Sequence, residues 1–356
     1  MRSDYSAVNS MIPRPSAEAG TVTKHKWDSV AKPLNGLGQL EELVIKIGAL
    51  TCTSEVDISK RAVVVLCADN GVVAEGVTQT DASVTAAMAE RILHRQSSVC
   101  RMAAVAGADV FPVDMGMLSR VQGVGGIHVA DGTRNFAQGP AMTEDEADAA
   151  VQYGISLVKH CKELGYRILV TGEMGIGNTS TSSALASVLL GLPVEAVTGR
   201  GAGLSDEGLA KKINAIHRGI EVNRPDPADA FDVLMKLGGF DIAGMTGMFI
   251  GGAMYGIPVV VDGLISSVAA LIAARLCPRC TCAMIPSHSS AEPAAEAISA
   301  ELGLTPLLFA GMKLGEGTGA VCMLPLLDMA LAVYNDAVGF SAAGVKQYEK
   351  LGGDAR

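Results

Sequence analysis

Two short stretches of the 356-residue chain combine a carboxylate with glycines. "KLGEGTGA" (Lys313 to Ala320) carries Glu316, and "TGEMGIGNTS" (Thr171 to Ser180) carries Glu173. A glutamate in such a loop is either a solvated turn residue or a base held over a ligand that the glycines admit. Enclosed by apolar groups, a carboxylate has its pKa raised towards neutrality and can act as a general base. After Glu173 the chain supplies Asn178, Thr179 and Thr181 and then a helix-forming run. Asn, Ser and Thr are good helix caps, and the free N–H groups of a helix start bind phosphate. "TGRGAGLSDEGLAKK" adds a third glycine loop with Lys211 and Lys212 behind it, and "IPSHSSAEPAA" puts Ser289 and Ser290 ahead of Glu292. Lys212 can neutralise a phosphate, although a helix lysine is ordinarily just solvated. None of these loops is a Walker A sequence or a G-x-G-x-x-G fingerprint, so NTP or dinucleotide binding lacks support. No Ser-His-Asp order or Cys-His pair stands out for nucleophilic catalysis. Taken alone, the residues point to an enzyme of a phosphorylated small molecule, with Glu316 and Glu173 as its catalytic candidates.

Such loops need rigid elements beneath them. "RAVVVLCADNG", "ADVFPVDMG", "YRILVTGEMG" and "IPVVVDG" are short apolar runs that stop at Asp69, Asp114, Glu173 and Asp262, and "CTCAMIPSHSS" reads as a further strand ending at Ser287 and His288. Between them lie Ala-rich stretches of helical length, 83–106 and 144–164. Alternating strands and helices predict an α/β fold with a mainly parallel sheet flanked by helices. In such sheets ligands bind outside the carboxyl ends of the strands, where every polar strand end would face. The N-terminal "KPLNGLGQLEELVIKIGAL" and the C-terminal "PLLDMALAVYNDAV" read as helices. They predict a small helical lobe from residues 1–60 with 325–356, beside a large catalytic domain over 61–324.

The hydrophobic fraction of 49% supplies a sizeable core, and aromatics are scarce at 4%. A net charge of −9 and a pI near 5.2 argue against a nucleic-acid or anionic-membrane surface. No secretory signal is evident, and the longest apolar runs are broken by Gly and Pro short of a membrane span. The reading is a cytoplasmic protein with no nucleic-acid or membrane partner. Of the eight cysteines, only Cys277, Cys280 and Cys282 cluster. A zinc site would want a fourth ligand, so no metal is expected.

In order along the chain, "KPLNGLGQLEELV", "VLCADNGVVAEGV", "GEMGIGNTS", "KLGGFDIAGMTG", "VVDGLISS", "IPSHSSAE" and "LGEGTGA" resemble the nicotinate-nucleotide:dimethylbenzimidazole phosphoribosyltransferase family. The resemblance implies a Rossmann-like sheet, a dimer, and no metal or other cofactor. It implies transfer of phosphoribose, with inversion, from nicotinate mononucleotide to the lower-ligand base of a cobamide. The products would be an α-riboside phosphate and nicotinate. By motif, Glu316 would be the general base, with Glu173 beside the substrates. Gly175, Asn178, Thr179, Gly201, Ala202, Lys212, Ser290, Ala291 and Gly315 fall where the family holds the nucleotide. In the nucleotide nicotinate is already a cationic pyridinium leaving group, so one base suffices and no general acid is needed.

The departures from the family gather at the base end. "ADHGV" reads Ala68-Asp69-Asn70-Gly71-Val72, a Ser-Pro pair reads Thr80-Asp81, and a Gln reads Met88. Met174 and Ile176 replace a Leu and a Met, with Leu314 nearby. These changes resemble divergent members that accept phenol or p-cresol and work as a heterodimer of two related chains, so the partner would be a second copy or a paralogue. Two other readings stay open: a nucleotide-binding protein, and a hydrolase of a phosphorylated riboside.

Overall fold

Every residue of Arg61–Ala68 is buried in the computed structural model, which describes residues 2–348. A Val-rich run without polar alternation meets that condition inside a parallel sheet covered on both faces. Six strands follow in chain order: β1 (Arg61–Ala68), β2 (Asp109–Gly116), β3 (Gly125–Gly126), β4 (Ile168–Met174), β5 (Val259–Val260) and β6 (Met284–Ile285). They lie in the order β3-β2-β1-β4-β5-β6, with every pair parallel. The chain grows outward from β1 to β3 and then returns to the other side of β1 at β4. That reversal opens a crevice at the carboxyl ends of β1 and β4. The register pairs Leu66 with Glu173 and Cys67 with Met174, so Glu173 arrives at the crevice at the end of a central strand.

The helical stretch expected over 83–106 is two helices, Ser83–Leu93 and Ser98–Val105. Arg95 takes a left-handed conformation (φ 57°) between them, and the Ser97 hydroxyl caps the second by accepting from Cys100 N at 3.4 Å. The expected helix over 144–164 runs Glu144–Glu163 behind a Thr143–Glu146 capping box. Helix Phe240–Tyr255 is apolar on all sides and buried along most of its length.

Two compact units form, one from residues 2–13 with Ile58–Met323 and the other from Arg14–Asp57 with residues 324–348. The first dozen residues therefore join the larger unit, not the small lobe expected over 1–60. They are held there by polar contacts: Arg2 pairs with Asp229 at 2.6 Å, the Tyr5 hydroxyl donates to Asp148 at 2.7 Å, and Cys277 donates to Tyr5 O at 3.3 Å. In the smaller unit Trp27 packs on Tyr334, whose hydroxyl donates to Ser54 O at 2.9 Å. Residue 1 and residues 349–356 of the expected lobe lie outside the described residues. One helical stretch, Thr318–Asp336, is long and apolar enough by composition to cross a membrane, which inspection of the apolar runs misses. Just over half of it is buried in the protein, so core packing accounts for its apolarity.

Candidate active site

A cavity of about 190 Å³ opens at the carboxyl ends of the strands. Its wall takes Glu173 to Thr179 from the end of β4 and the following turn, Asp262 to Ser266 from the end of β5, and His288, Ser290 and Glu292 beyond β6. Three loops complete it: Val77 to Gln79, Arg200 to Leu204, and Lys313 to Gly315 with Thr318.

One end is built for an anion. Helix Asn178–Leu190 starts in the wall, so the positive end of its dipole lies at the cavity, although the N–H groups of Asn178, Ser180 and Thr181 already donate to Gly175 O and Gly177 O. The loop Arg200–Leu204 lies beside that helix start, where a Cβ at Gly201 would stand only 3.0 Å from Thr179 Oγ1, and Arg200 is anchored to Leu204 O at 2.9 Å and to Asp206. Lys212 is fully buried behind this loop, where its ammonium donates to Thr179 Oγ1 at 2.9 Å and Gly199 O at 3.1 Å. Burial pushes its pKa down to about 8, against the opposing charge of Glu292. Lys212 thus braces two wall segments and does not itself stand in the wall.

The wall also carries the carboxyl group of Glu173 and the apolar side chains Val77, Met174, Ile176 and Leu314. Burial pushes Glu173 up to about 8, helped by the charges of Asp241 and Asp262 and opposed by Asn178 and the Glu316 backbone. At that value it keeps its proton over most of the physiological range. Glu316 is buried too, and burial raises its pKa, but its Oε2 accepts from Val99 N at 3.2 Å, which favours the charged form. Its backbone is left-handed (φ 60°), between Gly315 (φ 86°) and Gly317 (φ 89°). A left-handed residue with a Cβ costs about 1–2 kcal/mol, and such strain collects at functional sites. The loop is pressed onto β4 at Gly172, where a Cβ would stand 2.5 Å from Glu316 O. One residue earlier in the loop, Gly315 leaves room for Oε1 of Glu173.

A family model described as "Phosphoribosyltransferase" matches residues 12–345. The nicotinate-nucleotide–dimethylbenzimidazole phosphoribosyltransferase of Ruminiclostridium cellulolyticum is 42% identical over 97% of this chain and 98% of its own length. That of Desulforudis audaxviator is 44% identical over 91% and 93%. The crystal structure of the Thermus thermophilus enzyme superimposes with a TM-score of 0.86 at 35% identity, covering 94% of this chain and all of that one. The chain belongs to the nicotinate-nucleotide–dimethylbenzimidazole phosphoribosyltransferase family.

As a member of that family it is an enzyme, a phosphoribosyltransferase. Of the residues singled out from the sequence, Glu173, Met174, Gly175, Ile176, Asn178, Thr179, Gly201, Ala202, Ser290, Leu314 and Gly315 come together in the wall. Others do not. Glu316 is buried behind Gly315 with its carboxylate on the Ser98–Val105 helix start. Ala291 is exposed and donates its N–H to Met312 O at 3.2 Å. Thr80 and Asp81 form an exposed turn, in which Asp81 accepts from Ser83 N at 2.9 Å, and Met88 lies half-buried on the helix that follows. The wall takes Val77, Thr78 and Gln79 from this segment instead, with the Gln79 amide donating to Gly203 O. Asn70, where the family motif has His, is buried and structural: its carbonyl accepts from Thr181 Oγ1 at 3.1 Å and its amide donates to Ile176 O at 3.4 Å. Sequence reasoning passes over Arg200, although it sits inside a loop already marked by its glycines. His288 reads only as a strand end, yet it lines the cavity with Asp262 at 3.9 Å. Among the described residues no group of three His, Cys, Asp or Glu is placed to hold a metal ion, the three clustered cysteines included.

Proposed function

We propose that this phosphoribosyltransferase moves phosphoribose from nicotinate mononucleotide to the lower-ligand base of a cobamide, giving an α-riboside phosphate and nicotinate. The observation that carries the reading is the setting of two unlike carboxyl groups: Glu173 in the wall of the strand-end crevice, its pKa raised by burial, and Glu316 behind Gly315, its carboxylate held by Val99 N. The 5′-phosphate takes the start of helix Asn178–Leu190 and the Arg200–Leu204 loop, with Lys212 bracing both. The incoming base attacks C1′ from the face opposite nicotinate. The new bond forms as the C1′–pyridinium bond breaks, and its electron pair returns to the nicotinate ring nitrogen. Glu316 takes the proton of the attacking N–H or O–H once the Gly315–Gly317 turn brings its carboxylate to the base. Glu173 donates a hydrogen bond without adding a negative charge near the phosphate.

The base end favours a second, finer reading. Val77, Met174, Ile176 and Leu314 offer apolar surface to the ring, and a base without ring nitrogens makes no further demand on such a wall. Phenol and p-cresol are therefore accepted beside benzimidazoles, by a homodimer or a heterodimer with a related chain, in the cytoplasm. The test is a competition of benzimidazoles, purines and phenols for nicotinate mononucleotide on the purified protein, alone and with a paralogous chain, read by mass spectrometry. Riboside phosphates of both base types are expected. Phenol left untouched under every condition removes the finer reading, and free ribose phosphate in place of any riboside makes the protein a hydrolase.

A further inference from the structure

The motif "GGFDIAGMTG" has no part in the chemistry above, yet it places Asp241 in the first turn of helix Phe240–Tyr255 with its side chain fully buried. An acid in a first helical turn is ordinary; one shut away from water is costly. Its Oδ2 accepts from Nδ2 of Asn178 at 2.9 Å, and the same Nδ2 donates to Oε2 of Glu173. A single amide nitrogen therefore joins two buried carboxyl groups, one in the cavity wall and one behind it. Oδ1 of Asp241 has no hydrogen-bond partner among the described residues. The approach depends on Gly175, where a Cβ would stand 2.7 Å from Asp241 Oδ2.

We propose that Asp241 is a positioning residue for phosphoribosyl transfer, acting on Glu173 through the Asn178 amide that the two carboxyl groups share. The inference rests on the role given to Glu173 above. The charges that face the pair are mostly acids. Glu173 meets Asp241 and Asp262, the latter beside His288, and Asp241 meets Asp69, against the Asn178 donor and the nearby backbone N–H groups of the helix start, which lower its pKa without closing a hydrogen bond to Oδ1. The buried Cys67 thiol lies in the field of both. Burial pushes Asp241 up to about 6, so near neutral pH it is largely ionised and opposes ionisation of Glu173. Asp241 thus adds to burial in keeping the proton on Glu173, while Asn178 fixes where the carboxyl group points.

The test is a pH titration of protein labelled with carbon-13 at the glutamate side-chain carboxyl, followed by NMR, beside kcat at saturating nicotinate mononucleotide. One glutamate resonance should titrate near pH 8 and be missing from Glu173→Gln. In Asp241→Asn its midpoint should fall by about half a pH unit or more, since a like charge has been removed. In Asn178→Ala it should rise, since a donor to the charged form is lost. The alkaline fall in kcat should follow the same midpoints and flatten in Glu173→Gln, whose amide is a permanent donor. Lys212 titrates in the same range, so Lys212→Arg is run in parallel to identify any limb that belongs to it. An unmoved midpoint in folded Asp241→Asn, or in Asn178→Ala should the first not fold, overturns the role of Asp241. A midpoint that moves without kcat following shows Asp241 to be structural only. A Glu173→Gln enzyme that keeps the wild-type limb removes the role of Glu173 itself.

Discussion

Glu173 is the residue at which stability and chemistry conflict most openly. In the folded chain burial holds its pKa near 8, well above the value of about 4.3 for a free glutamate. The folded state binds this proton more tightly than the unfolded chain does. The stabilisation from that tighter binding is complete below the unfolded value and is lost progressively as pH rises through the folded one. Asp241, raised to about 6, behaves in the same way over a lower window. Glu173→Gln keeps a neutral side chain of the same shape and cannot ionise. Calorimetry should find it melting above the wild type at about pH 9, with the gap closing as pH falls towards about 5. A gap that widens towards acid would mean that Glu173 is ionised and paired in the native state.

The elements around that residue are positioned by β4 and by the helix that follows it. Gly172 lets the Gly315–Gly317 turn lie directly on the strand, so Gly172→Ala must push Glu316 away from its place. Overpacking of this kind costs about 1–3 kcal/mol, so a lower melting temperature and a loss of turnover are expected together. In the proposed reaction the helix start at Asn178 and the Arg200–Leu204 loop hold the phosphate. Calorimetry should therefore show nicotinate riboside binding far more weakly than its 5′-phosphate, and equal affinities would move the phosphate elsewhere. Much of this frame is readable from the sequence because β1, β2 and β4 are long apolar runs that stop at acids. Of the other strands, β3 is the pair Gly125–Gly126, with no side chains to make a pattern, whereas β5 and β6 are legible in "IPVVVDG" and "CTCAMIPSHSS" but pair over only two residues each. The division of 83–106 turns on Arg95, whose left-handed backbone no local signal announces. The glycine loops are visible for the same reason that they work, being runs with no side chains in the way. Arg200, His288 and Asp241 gain their meaning only when distant segments meet. Met88, Thr80 and Asp81 show the converse: their types fit a base pocket, but the exposed turn at 80–81 and the helix Ser83–Leu93 keep them out of its wall.

At the scale of the whole molecule, the order of the strands makes the site. Growth outward from β1 and return at β4 leave one crevice, and the ends of β4, β5 and β6 with the loops around them all deliver residues to it. The larger unit contains the entire wall, and residues 2–13 are tied to it by Asp148 and Asp229. A site assembled in this way transfers a group between two ligands if one carboxylate removes a proton while the cavity withholds water from C1′. The measurement that bears most directly on this is nicotinate release from nicotinate mononucleotide, with and without a lower-ligand base, by the wild type and Glu316→Gln. Nicotinate should appear only when base is present and in step with α-riboside phosphate. Glu316→Gln should still bind the nucleotide but turn over at least about a hundredfold more slowly, the usual scale for a lost general base. Release without base, or near-normal turnover by a folded Glu316→Gln protein, would contradict it.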